Sequence, residues 1–423
     1  TSAPSFSRFA RTVLWRAVVR QPMKWLPAFL LGLTTIGTYG TAYYSIGVLI
    51  PAIHDETGWS TGALSGGFSL AVLGQGGVAL LAGRIFDRRG AFIVFVTAIV
   101  LGSAFLLLAS LASRPWHFTA AWALGGATIG GGLYYNMTMP AIARLYPLDR
   151  ATGLSVLTLL GALASPIFYP IAGWMIDQWG WRTALQVLVG LMACCVAPTL
   201  LVVRAPAAAS LPEHASKAPL RDALASSDVR RLLLVLALGG VAGSSFVLNQ
   251  VPAMEAAGLS LTAAASYAGV RGLFQIPGRL LLTPLTRRFG VRGTIALCYG
   301  VAATAALALV AAIQGASTQL MAGYFCVLGG MSLGLLSPLN GLFQAEVFGD
   351  EHLGTLSGLA VVVGSLAGAA GGFVSGVLVD LAGGFVAALL LAAGCYILAI
   401  IGLSWRSVPM TGAQPSEETV AAG

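Results

Sequence analysis

Apolar positions in this 423-residue chain neither alternate nor keep to one helical face. They run in long stretches separated by short polar breaks. A helix needs about 20 mostly apolar residues to cross the hydrocarbon of a bilayer, and twelve stretches qualify: 27–53, 61–82, 91–112, 116–140, 153–176, 183–203, 232–254, 262–285, 293–314, 319–344, 354–379 and 384–405, numbered spans 1 to 12 below. Strands of a membrane barrel would be about ten residues long with in–out alternation. The pattern therefore predicts an all-α polytopic membrane protein of about twelve transmembrane helices, with no room for a large soluble domain.

The longest polar interruption carries Pro206, Pro212, Lys217 and Pro219 and divides the spans six and six. The expected organisation is a basic N-terminal segment (1–26), a six-helix bundle (27–203), a linker (204–231), a second six-helix bundle (232–405) and a tail (406–423). Shifting the chain by about 200 residues aligns Pro51, Ala52 and Gly58 with Pro252, Ala253 and Gly258. Gly90 falls on Gly290, Gly132 and Arg144 on Gly334 and Glu346, and Gly173, Asp177 and Gly180 on Gly376, Asp380 and Gly383. Such a repeat predicts two pseudo-symmetric bundles facing each other across a site near the midplane.

Composition agrees: 57% of residues are hydrophobic and 9% charged, against about 25% charged in soluble domains. The net charge of +8 is explained by topology and not by nucleic acid. Arg8, Arg11, Arg16, Arg20 and Lys24 precede span 1, and further basic residues follow spans 2, 4, 6, 8 and 12, while the opposite breaks carry only Arg114 and Arg182. The excess of positive charge places both termini in the cytoplasm. The basic start reads equally as an amphipathic surface helix, with Phe6, Phe9, Val13 and Trp15 among its arginines, or as an unstructured tail. An organelle transit peptide stays open, while the overall expectation is the inner membrane of a bacterium. The five cysteines lie inside spans, and no metal-ligand spacing or catalytic grouping appears, so neither an enzyme nor a cofactor is expected.

The stretch Gly83-Arg84-Ile85-Phe86-Asp87-Arg88-Arg89-Gly90, directly after span 2, resembles the motif between helices 2 and 3 of the major facilitator superfamily. Gly180-Trp181-Arg182, Ala345 to Gly349, Gly354 to Gly358 and Gly58-Trp59-Ser60 resemble most the branch of bacterial monocarboxylate transporters and oxalate:formate antiporters. The resemblance implies the major facilitator fold and alternating access. In it Gly83, Asp87, Arg88, Arg89 and Gly90 would form a polar gating latch. Charge placement suggests that Arg88 and Arg89 meet Asp350, and that Arg287 and Arg288 meet Asp149, when the cytoplasmic side closes. Gly161 to Pro166 faintly resembles the antiporter motif of drug exporters, without its second glycine.

An ion inside a span is a functional candidate by default. Arg279 of span 8 can reach the cytoplasmic headgroups by its length. Arg271 is about nine residues in, roughly 13 to 14 Å deep, with no carboxylate at comparable depth. Its fork suits a carboxylate that arrives and leaves, although internal packing glue is the plainer alternative. The resembling branch carries its substrate-binding arginine at this place. Tyr267 and Gln275 flank Arg271 on one helical face; mammalian monocarboxylate carriers have an aspartate where Tyr267 stands, which leaves a coupled proton in doubt. The family's cavity is lined by spans 1, 4, 7 and 10, which offers Tyr39, Tyr43, Tyr134, Tyr135, Asn249 and Asn340. The expectation is a monomeric secondary transporter, in the bilayer, of a small organic anion such as lactate or pyruvate. A drug exporter, a dicarboxylate/monocarboxylate exchanger and a non-transporting receptor are the alternatives.

Overall fold

The computed structural model describes residues 24–146, 149–203 and 226–404, with the side chains of 87, 150, 151, 345 and 348–358 left out. Most of the N-terminal segment, the linker and the tail thus lie outside the described residues, as do the side chains of Asp87 and Asp350. Every regular element among the described residues is helical.

Eight helices are long and apolar enough to cross a bilayer as they stand. One of them joins spans 5 and 6, and spans 1, 4 and 8 are broken into shorter pieces, which accounts for all twelve. Span 1 is Leu26–Tyr39 and Ile46–Thr57 around a π-helical turn, Gly40–Tyr44. Span 4 is Pro115–Leu133 and Tyr135–Leu145, parted at Tyr134, whose backbone is extended. Gly130, Gly131 and Gly132 weaken the helix ahead of that break, and the Asn136 side-chain amide donates to the Gly131 carbonyl at 2.9 Å. A polar side chain thereby satisfies a backbone group near the interruption. Span 8 is Leu261–Leu273 and Gln275–Leu280, parted at Phe274. In spans 10 and 11 the helical backbone runs from Gly330 to Ala382, including the polar stretch expected to interrupt it.

The repeat in the sequence is a repeat in the backbone. Of the seven glycines with positive φ among the described residues, six are the three aligned pairs: Gly58 and Gly258, Gly90 and Gly290, Gly180 and Gly383. A residue with a Cβ strains in this region of φ, so both halves end or bend corresponding helices with the same device.

The halves touch along three seams. Span 1 meets span 7 where a Cβ on Gly47 would stand 2.5 Å from the Val247 carbonyl oxygen. Span 2 packs on span 11 through Ser65 against Gly376 and Ser69 against Gly372, and span 5 packs on span 8 through Pro166 and Pro170 against Gly269. All three seams lie toward the face carrying Thr57, Asp177 and Asp380, here the far face. Toward the opposite, linker face, the halves diverge.

Candidate functional site

Between the diverging halves is a cavity of about 550 Å³ that reaches Leu236, Gln344 and Ala360 near the linker-side ends of spans 7, 10 and 11. Tyrosines dominate its first-half wall. The wider π-helical turn after Tyr39 brings Tyr39, Tyr43 and Tyr44 together, with centroid separations of 5.9 Å (39–43), 6.4 Å (39–44) and 5.3 Å (43–44). Tyr135 completes this wall, 5.3 Å from Tyr39, and Tyr134 stacks behind Tyr39 at 3.9 Å. The second half contributes Phe246, Tyr299, Phe325 and Tyr396, and two cations, Arg271 and Arg279.

Arg271 is 5% exposed. Its guanidinium lies 5.5 Å from the Phe325 ring centroid, and its Nε has no hydrogen-bond partner. Among the described residues no carboxylate pairs with it. Gln275, Ser337 and Asn340 share the cavity, and the Asn340 Oδ1 is also without a partner. A desolvated cation with an open donor, set in an aromatic wall, attracts an anion with an apolar body. No group of three metal-ligating side chains occurs among the described residues.

The far face is held shut by contacts between halves. Asp380 of span 11 accepts the N–H groups of Thr61 and Gly62, and Asp177 of span 5 accepts the Thr262 hydroxyl. Deeper, the Gln250 amide donates to the Tyr169 hydroxyl at 2.6 Å, both residues fully buried. Glu255, near this face, has a buried carboxyl oxygen without a partner.

The model of the Major Facilitator Superfamily matches residues 32–372. The chain belongs to the major facilitator superfamily. Curated relatives include Multidrug resistance protein MdtL of Klebsiella pneumoniae subsp. pneumoniae, 29% identical over 41% of this chain and 45% of that protein. Multidrug resistance protein MdtH of Yersinia enterocolitica is 28% identical over 29% of this chain and 30% of that protein. The matches therefore span under half the length of these relatives, and neither is named as a monocarboxylate or oxalate:formate carrier. Among solved structures, the nucleoside transporter NupG superposes with a TM-score of 0.71 at 13% identity, covering 90% of this chain and 98% of that one. A bacterial homolog of the human lysosomal transporter Spinster gives 0.64 at 16%, covering 89% and 97%. Membership of the superfamily makes this a multi-pass membrane protein.

With the facilitator fold in hand, the expected site divides. Arg271, Tyr39, Tyr43, Tyr135, Gln275 and Asn340 line the cavity. Tyr134 does not, because the break turns it back among the core residues, 6% exposed. Asn249 is spent inside the second half, donating to the Ser245 carbonyl and the Ser375 hydroxyl. Tyr267 lies one turn farther out than Arg271, packed against the core on the sealed side. Arg279 lines the cavity, contrary to its expected reach for the headgroups, because the chain breaks at Phe274 and again at Leu281, resetting the face it presents. The sequence singles out neither Tyr44, which the π-helical turn of span 1 brings into the wall, nor Tyr299 and Tyr396, which come from spans 9 and 12, outside the four spans expected to line the cavity.

At the linker face, Asp149 pairs with Lys24 at 2.5 Å and not with Arg287 or Arg288, as a cavity open on that side requires. Arg88 and Arg89 are exposed, and Gly90 ends its helix at φ +82°.

Proposed function

We propose that this facilitator transports an amphipathic organic anion of drug size, its carboxylate on Arg271 and its apolar body against the tyrosines of span 1. The observation that carries the reading is the buried Arg271 with an unpartnered Nε in an aromatic cavity. Volume argues for the larger substrate. About 550 Å³ lies in the range of about 300 to 1,000 Å³ typical of drug-sized sites, and lactate would leave most of it to water. The names of the curated relatives support export of drug-like compounds. Two cations and no carboxylate among the described lining residues speak for an anionic member of that class.

Transport proceeds by rocking of the halves, the linker face being cytoplasmic by the distribution of basic residues. The far-face contacts hold the inward-open state. Glu255, close to Asp55 and Asp177, is the group proposed to carry a coupled proton.

Counterflow in proteoliposomes tests the reading with radiolabelled salicylate, lactate and tetraphenylphosphonium. Salicylate exchange that falls about 30-fold or more in Arg271→Ala supports it, matching about 2 kcal/mol or more for a lost buried ion contact. Exchange of lactate alone restores the short-acid reading, and phosphonium exchange indifferent to Arg271 overturns the anionic one.

A further inference from the structure

A second cavity of about 290 Å³ lies between spans 2, 7 and 11. It shares Tyr43, Gly240, Gly243, Val361 and Gly364 with the central cavity, so the two adjoin along that wall. Its own walls add Val72 and Gln75 of span 2, Ser244 of span 7 and Ser365 of span 11. Around it the outer surface is apolar: Leu73, Val362 and Leu366 are 39%, 53% and 55% exposed. In a membrane-spanning chain such a surface faces acyl chains.

The seam is sealed on one side of this window and open on the other. A Cβ on Gly368 would stand 3.0 Å from the Ser244 Oγ, and one on Gly372 would stand 2.8 Å from the Ser69 Oγ, so spans 2, 7 and 11 are in close contact toward the far face. At Gly76, Gly77, Gly243 and Gly364 an added Cβ would meet nothing within 4 Å. The seam between spans 5 and 8 differs in chemistry: its linker-side part carries Gln275 and Arg279, while the window between spans 2 and 11 has only the neutral polar groups of Gln75, Ser244 and Ser365 among its described lining. A headgroup passing inward meets hydrogen-bonding groups, then Tyr43, then Arg271, while a hydrocarbon tail can stay in the lipid-facing gap.

The geometry points to a lateral portal: the second cavity admits amphipathic carboxylates from the bilayer leaflet on the linker side and holds their hydrocarbon chain while the carboxylate sits on Arg271. The inference rests on the anionic reading of the central site and adds the route and the substrate class, a membrane-partitioned alkyl carboxylate. Each further CH2 multiplies the share of such an amphiphile held in the leaflet, so entry from lipid favours them over water-soluble acids.

Ser365 lines only the side cavity, which makes it the place to obstruct. In proteoliposomes, Ser365→Phe is expected to slow laurate counterflow about five-fold or more and to leave salicylate counterflow within about two-fold, because entry and not the headgroup site is affected. Unchanged laurate counterflow overturns the portal, and so does an equal loss of both probes, which would place the obstruction in the shared cavity. In a second measurement that does not depend on how Phe is accommodated, a bimane on Ser365→Cys should be quenched by lipids with mid-chain doxyl groups, and added laurate should relieve that quenching. Quenching by aqueous iodide but not by doxyl lipid overturns the portal. If Arg271→Ala leaves both laurate and salicylate counterflow intact, the anionic reading fails; if it abolishes both while Ser365→Phe changes neither, the portal alone fails.

Discussion

The carboxylate of Asp380, at the end of span 11, accepts the backbone N–H groups of Thr61 at 2.8 Å and Gly62 at 2.7 Å, the first residues of span 2 in the opposite half. The Ser60 Oγ meanwhile accepts from Ala63, so a side chain of the first half and one of the second together cap one helix. Asp177, the residue aligned with Asp380 in the repeat, reaches Thr262 just after the corresponding cap Ser260. Charged hydrogen bonds are worth about 1.5 to 3 kcal/mol, and the helix dipole adds to them. Asp380→Asn should therefore shift the balance toward a far-face-open state by about ten-fold or more. Spin labels on the far-face loops of the two halves, measured by electron–electron double resonance, should show the longer distance gaining population.

The Gln250 to Tyr169 bond gives a second prediction, about the stability of the closed far-face seam. Tyr169→Phe leaves the buried Gln250 amide without its acceptor, at about 1 to 3 kcal/mol. Pairing it with Gln250→Leu should recover part of that loss, since both partners are then apolar. A thermal-unfolding cycle in detergent reads the coupling; strictly additive losses would mean the bond contributes nothing across the halves.

Arg271→Met separates a binding role from a packing role. Replacing an unpaired buried charge by an apolar side chain of similar length is expected to raise the thermal midpoint of the empty protein while abolishing salicylate binding. A lowered midpoint would mark Arg271 as internal glue.

Two glycine substitutions should part company. A Cβ on Gly334 would fall 2.3 Å from the Gln275 carbonyl oxygen, at the crossing of spans 8 and 10, so Gly334→Ala should cost about 1 to 3 kcal/mol by overpacking. A Cβ on Gly83 meets nothing within 4 Å, and Gly83→Ala should raise stability by about 0.4 to 1 kcal/mol. If Gly83→Ala nonetheless slows transport, the polar stretch after span 2 acts in gating.

Twelve spans and two halves were legible because hydrophobic length and a 200-residue offset survive any local distortion; Gly90 and Gly290 align in the sequence and share φ values of +82° and +69°. The cavity wall was legible only in part. Choosing between Tyr134 and Tyr135, or including Tyr44, required knowing where the helices depart from 3.6 residues per turn, and the π-helical turn at Gly40–Tyr44 and the break at Tyr134 shift the register after them. Arg271 stood out because a charge in hydrocarbon is costly wherever the helix turns. Asn249 lies outside the wall because a polar residue at mid-depth serves equally well between two helices of one half.

The orphaned guanidinium also bears on the transport cycle. For the halves to rock past an empty cavity, Arg271 must surrender whatever water solvates it, with no counter-charge to replace that water. A bound carboxylate removes this obstacle. The loaded carrier should then reorient faster than the empty one, so that exchange of anions across the membrane outpaces one-way flux.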